Sequence, residues 1–340
     1  MAWQTPDHAP LLQMAAPPQV EMAPANSTVA PYTGPIDANP LIDSHTAQML
    51  GSMVGITVRQ KVSWIEGMTQ GVCEVRNKYT LHPGAGHEAL THPPFMSAME
   101  RSPGCGRCFC APYHNVFVEF KHSQDPLAEA PIAFTFERQG VCSKCPCCFN
   151  CMECCLDSMN MHAGQLTEDP KQAGALSDYS KVIGSAKQPL GCCTCTPTLD
   201  IFDGSVPDKN PPISKMHGPC IFGGCSELCA ESEFPISRPS SGINVGDVAV
   251  IRKLRPRTCG DTCAECCTDS DRYMIEFKDK SLTPQQKATL LGTLMLTDFM
   301  MFEQDNGMVN CRDKRLTITF FLCFCGGCLC PCQCILQSNS

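Results

Sequence analysis

A mainly β chain, closed as an antiparallel β-barrel around one hydrophobic helix near its C-terminal end, is the fold class this sequence predicts. Three observations point there. Short runs alternating apolar and polar residues recur from Ile56 to Asp279, connections rich in Gly, Pro, Asn and Cys separate them, and one strong helical stretch follows that has hardly any polar face. Half-buried strands need an apolar filling and an all-apolar helix needs a cover, so the two fit as wall and contents.

Residues 1–45 are rich in Pro and Ala with little to bury, which predicts a disordered tail of polyproline II character. Protein partners through this tail have no PPxY-type motif to recognise. Residues 46–307 form the expected barrel domain. Its strands are carried by "ITVRQKVSWIEG", "HNVFVEFKH", "PIAFTFERQ", "PTLDIFDG", "VGDVAVIRKL" and "RYMIEFKD". The helix is expected at residues 284–304. Thr283 caps it, Pro284 suits its first turn, and Gln286 completes a T-x-x-Q capping box. Leu290, Leu294, Phe299 and Phe302 leave it no solvent face, while its uncharged part from Ala288 to Thr297 is too short to span a bilayer. Asp298 and Glu303 interrupt the apolar surface. The expected role of Asp298 is a satisfied core acid near the helix end. Residues 308–340 are a Cys-rich apolar tail.

A net charge of −8 and a pI near 5.6 argue against nucleic acid as a partner. The basic run "IRKLRPR", with Arg252, Lys253, Arg255 and Arg257, reads as a solvated strand end. The first residues have neither a basic start nor an apolar run, so no secretory leader is expected and the thiols should remain reduced. No Walker, Rossmann or hydrolase motif is present, and His162 and His217 read as solvated loop residues, so the chain is not expected to be an enzyme.

The 28 cysteines are the strongest chemical feature. "CSKCPCCFNCMECC" packs seven of them between Cys142 and Cys155. Cys145, Cys148, Cys151 and Cys155 satisfy a ferredoxin-type spacing, but seven thiols in one window satisfy many templates. C-x2-C pairs at Cys105/Cys108 and Cys142/Cys145 could close a zinc site. Adjacent pairs such as Cys147-Cys148 and Cys154-Cys155 chelate poorly, because neighbours point apart, and suit acylation better. Lipid and zinc both remain open on these residues alone.

"RQKVSWIEGMTQGVCEVRNKYTLH" (Arg59 to His82), "KMHGPCIFGGC" (Lys215 to Cys225), "TDSDRYMIEF" and "LMLTDFMMFE" (Leu294 to Glu303) resemble, in order and spacing, the phospholipid scramblases. The resemblance covers roughly Ile56 to Glu303. It implies a tubby-like barrel around a C-terminal helix, which agrees with the reading above. It also implies ATP-independent, calcium-stimulated movement of phospholipids between leaflets and attachment to the plasma membrane by palmitoylated cysteines, with nuclear roles when acylation is absent. It tilts the thiols from zinc toward covalent palmitate at Cys145, Cys147, Cys148, Cys151, Cys154 and Cys155, and, by extension, at Cys323, Cys325, Cys328 and Cys330 of the tail. The chain departs from the family in its extra cysteines (Cys105, Cys108, Cys110, Cys259, Cys263, Cys266, Cys267), in the polar stretch "AGQLTEDPKQAGALSDYSKV", and in the tail itself.

The family's calcium motif maps onto "DSDRYMIEFKDK". Asp269 and Asp271 take the first positions of an EF-hand-like loop, but Met274 replaces the turn glycine and Lys280 stands where a bidentate acid belongs. Tyr273, Ile275 and Phe277 alternate like a strand, and eight extended residues separate Asp271 from Asp279 by ~26 Å. Weak calcium binding at Asp269 and Asp271 is expected, with Asp279 as the third candidate set apart by this distance. The expected function is that of a phospholipid scramblase at the cytoplasmic face of the plasma membrane. The rival readings are an acylated adaptor that binds phospholipid without flipping it, and a zinc-stabilised interaction module.

Overall fold

The computed structural model describes residues 33–61, 76–101, 116–138, 153, 156–166, 179–191, 194–205, 211–242, 245–267, 271–302, 308–312, 315–325 and 328–337. Helix α1 (Ser44–Ser52) leads into strands β1 (Gly55–Gln60), β2 (Lys78–Pro83), β3 (Met96–Glu100), β4 (Val116–Lys121), β5 (Ile132–Arg138) and β6 (Ser158–Ala163). Then come β7 (Val182–Lys187), β8 (Thr198–Asp203), β9 (Ser214–His217), β10 (Ile221–Phe222), β11 (Ser232–Ser237) and β12 (Ala249–Lys253). Helix α2 (Cys259–Cys267), β13 (Arg272–Phe277) and helix α3 (Pro284–Met301) precede β14 (Val309–Arg312), β15 (Arg315–Cys325) and β16 (Cys328–Gln337).

Twelve of these strands close a barrel in the order β1-β13-β12-β11-β9-β8-β7-β6-β5-β4-β3-β2. The seam is the antiparallel pair β1–β13, with Gly55 opposite Glu276 and Arg59 opposite Arg272. The expected mainly β, tubby-like fold is therefore present. Each strand sends alternate side chains inward: Phe134 and Phe136 of β5 are fully buried, and Phe136 stacks on Phe299 of α3 with ring centroids 5.7 Å apart.

Helix α3 fills the barrel. Every residue from Lys287 to Met301 is buried. Its N-terminus is the capping box read from the sequence: Thr283 Oγ1 accepts from Gln286 N at 3.2 Å, and Gln286 Oε1 accepts from Thr283 N at 3.1 Å. The polar row that remains inside is satisfied locally, because Thr289, Thr293 and Thr297 each donate to the carbonyl four residues back at 2.8–3.0 Å. One strand must approach the helix closely. A Cβ on Gly184 of β7 would lie 1.9 Å from Thr289 Oγ1, so only glycine fits. Among the described residues, no helix is long and apolar enough to cross a membrane.

Lys287 corrects the impression of an all-apolar plug. Its Nζ donates to the carbonyls of Leu50, Gly51 and Met53 at 3.2, 2.7 and 2.8 Å, satisfying the open end of α1. Burial without a carboxylate lowers its amine to about 8. Leading into α1, Ile42 is buried and Asp37 accepts from Gln285 N, so chain before residue 46 packs on the start of α3.

Beside the barrel, β15 pairs with β10, β14 and β16. Leu322 and Phe324 of β15 are buried toward the core, near Phe222 of β10, opposite Leu322. The apolar tail is thus a sheet, with β15 and β16 as its long hairpin.

Candidate functional site

Around the C-terminal half of α3, the barrel interior holds a chain of polar groups. Asp298 is buried on α3 and contacts two phenols: Tyr79 of β2 donates at 3.3 Å, and Tyr273 Oη of β13 lies 2.6 Å from Asp298 Oδ1. The same Tyr273 oxygen is 2.7 Å from Asp271 Oδ2. Lys253, at the end of β12, reaches Asp271 Oδ1 at 2.9 Å and Glu227 Oε2 at 2.8 Å, with its ammonium 4.3 Å above the Phe302 ring. Ser232 donates to the other Glu227 oxygen at 3.2 Å.

Tyr273 has one proton and two close carboxylate oxygens. It can donate to only one of them, so a second proton must occupy the other contact. Lys253 is in direct contact with Asp271 at 2.9 Å and acts on Asp298 only through its field, which puts that proton on Asp298. The electrostatics agree: burial, reinforced by the charge of Asp271, raises Asp298 to about 7. Burial opposes the charge of Lys253, yet Asp271 and Glu227 together keep it protonated far above the ordinary lysine range. Asp298 is the satisfied core acid expected of it.

The expected calcium segment does not form a loop. Residues 272–277 are β13, and Asp271 and Asp279 stand at its opposite ends. Asp271 is engaged by Lys253 and Tyr273, while Asp279 pairs with Arg238 and accepts from Ser281 N and Oγ at 2.8 and 2.7 Å. These two acids do not fit a shared ion. Asp269 lies outside the described residues, as do Glu303 and the central thiols Cys145, Cys147, Cys148, Cys151, Cys154 and Cys155. Among the described residues, no three His, Cys, Asp or Glu side chains gather as a metal cluster.

Two readings are corrected. Lys253 is not a solvated strand end; it is buried because β12 carries it inward beside two acids. His162 is not a loop residue. It lies in β6, fully buried, with Nε2 2.7 Å from Glu137 Oε2, and His217 lies in β9, where burial lowers its imidazole. Sequence reasoning missed Glu227, Tyr79 and the partnership of Tyr273 with Asp298. The available signal was Tyr273 itself, at an inward position of a strand whose interior contains an acid.

At the other end of α3 lies a cavity of about 280 Å³, lined by Ile201, Val248, Leu282, Thr289, Leu290 and Arg238 among others. The tail thiols are on the outer sheet: Cys325 and Cys330 are exposed and Cys323 is half-buried, while Cys328 is placed by register opposite Cys325. Leu294, Phe299 and Phe302 are where the sequence put them, in the core.

The family model described as Scramblase matches residues 35–304, which is the α1, barrel and α3 unit just described. The chain belongs to the scramblase family. It is 25% identical over 256 residues to phospholipid scramblase 1 of Homo sapiens, covering 75% of this chain and 65% of that protein. It is likewise 25% identical over 234 residues to phospholipid scramblase 2 of Bos taurus, covering 69% of this chain and 64% of that protein. This chain thus spans just under two thirds of the length of the curated relatives it matches. No solved structure matches it. The family match stops at residue 304, so β14–β16 lie beyond the matched region.

Proposed function

We propose that this chain moves phospholipids between membrane leaflets down their gradients, without ATP and with calcium stimulation. The observation carrying this reading is that the family match coincides with the complete barrel and its helix, residues 35–304. Attachment through acylated thiols supports work at a membrane surface. The central run supplies adjacent cysteines, and the outer sheet presents exposed Cys325 and Cys330, with exposed Leu336 on the same face of β16 as Cys330. The cytoplasmic face of the plasma membrane is the proposed location. Calcium would act weakly, through Asp271 with Asp269, and no step of lipid movement is assigned to it.

One observation favours a second reading. The barrel interior is occupied by α3, so the fold offers no internal lipid conduit. That favours an acylated adaptor that holds phospholipid without flipping it. The purified chain in vesicles carrying fluorescent lipid decides between them. Calcium-dependent bleaching of the inner-leaflet probe by an impermeant reductant supports transport. An intact inner-leaflet signal at high protein density, with the chain still bound to the vesicles, supports the adaptor.

A further inference from the structure

The outer sheet carries thiols that the barrel interior does not use. Cysteines alternate along β15 (Cys323, Cys325) and β16 (Cys330, Cys332, Cys334), and a strand's period of two puts each set on one face. Leu322 and Phe324 point to the core, so the thiol face is the outer one. The register places Cys323 directly opposite Cys330, while Cys332 stands opposite Phe321 and Cys334 opposite Ile318. Residues directly opposite in an antiparallel pair have Cβ atoms about 4.5–5.5 Å apart, and a disulfide forms across Cα separations of about 4.4–6.8 Å. Joining Cys323 to Cys330 therefore needs no change of register. Both thiols are free; Cys330 is exposed and Cys323 half-buried. Burial, and then the nearby thiols Cys220, Cys330, Cys332 and Cys325, push the Cys323 thiol up.

We propose that Cys323 and Cys330 are a reversible cross-strand dithiol–disulfide couple, closed by a small disulfide of the oxidised-glutathione class. The exposed Cys330 thiolate attacks one sulfur of oxidised glutathione, the S–S bond breaks, and one glutathione thiolate leaves. The Cys323 thiolate then attacks the Cys330 sulfur of the mixed disulfide and expels the second glutathione. Two protein thiols lose two electrons and two protons, and one oxidised glutathione becomes two reduced ones. Cys332 has no thiol opposite it and stops at the mixed disulfide. The couple does not require lipid movement, and it draws on the same two thiols that acylation would otherwise occupy.

The test equilibrates the full-length chain in glutathione buffers of stepped oxidation, traps free thiols with an alkylating agent, and maps linkages by mass spectrometry. Chymotryptic cleavage after Phe324 and Leu329 puts Cys323 and Cys330 on separate peptides. The expected result is a Cys323–Cys330 link whose fraction follows the buffer ratio in both directions, with Cys332 carrying glutathione. Cys323→Ser should turn Cys330 from mainly linked to mainly glutathionylated, a change of tenfold or more in that adduct. Wild-type chain in which Cys330 stops at the glutathione adduct overturns the proposal. So does a dominant link from either cysteine to a different partner.

Discussion

Helix α3 and the β15–β16 hairpin are both apolar and nearly uncharged in sequence, yet the fold finishes one and leaves the other half-finished. Around α3 every side is covered, and each polar intruder has partners: the threonines bond within the helix, Lys287 closes α1, and Asp298 shares a proton with tyrosines. The hairpin buries only one face, through Leu322 and Phe324, while Phe320, Ile335 and Leu336 remain about half exposed. An apolar segment enclosed by its own chain is a structural element. One left open on a single face is a surface with chemistry to offer.

The largest break in this contrast should come from the core. Leu294→Asp places an unpaired carboxylate in the barrel centre and should cost several kcal/mol, enough to unfold the domain. Loss of the cooperative thermal transition is the expected readout, whereas an unchanged midpoint would mean that α3 is not enclosed. The corresponding change on the hairpin, Ile335→Asp, should leave the midpoint nearly where it was.

The shared proton gives a smaller, pH-dependent effect. Asp298 has its folded pKa raised from 3.8 to about 7, so the folded state binds this proton more tightly than the unfolded one. Its stabilisation is complete below pH 3.8 and is lost as pH rises through about 7, at up to ~1.4 kcal/mol per pH unit. Asp298→Asn, which keeps a donor toward Tyr273, should flatten chemical-denaturation stability between pH 5 and 7.5. An unaltered slope would place the proton elsewhere.

On the open face, replacing Cys323, Cys325, Cys328, Cys330, Cys332 and Cys334 with Ser should weaken membrane association while leaving the thermal midpoint within a degree or two. Fractionation of cells expressing the variant reads this directly, and unchanged partitioning would remove the hairpin from membrane attachment. The smallest effect belongs to Asp279→Ala. Because Asp279 serves Arg238 and Ser281 at the far end of β13, calcium affinity measured by titration should hardly move. A large loss would mean that the segment curls into a loop.

How much of this could be read from the sequence depended on whether a residue's partner lay nearby along the chain. The capping box of α3 is local, and Thr283 and Gln286 announced it. Strands β4, β5, β8, β12 and β13 announced themselves by alternation. Strand β6, "SMNMHA", did not, because its outward Asn160 and His162 are buried against Glu137 and its inward residues are methionines. The Lys253–Asp271–Tyr273–Asp298 chain joins three elements that only barrel closure brings together. Alternation could place Tyr273 inward but could not say which acid it would meet.

The seam between β1 and β13 has a consequence for how the molecule is made. Gly55 must wait for Glu276 before the barrel can close, and α3, which fills it, begins only at Pro284. A growing chain therefore exposes its wall before its contents exist. The closing contacts are distant in sequence, which makes folding slow and leaves β1 and β13 as open edges meanwhile. Once α3 emerges, the wall must wrap a helix already in place, since a finished cylinder of hydrogen-bonded strands gives an 18-residue helix no way in. Closure and filling then become one event, and a chain interrupted before Pro284 would be a ribbon with two sticky edges.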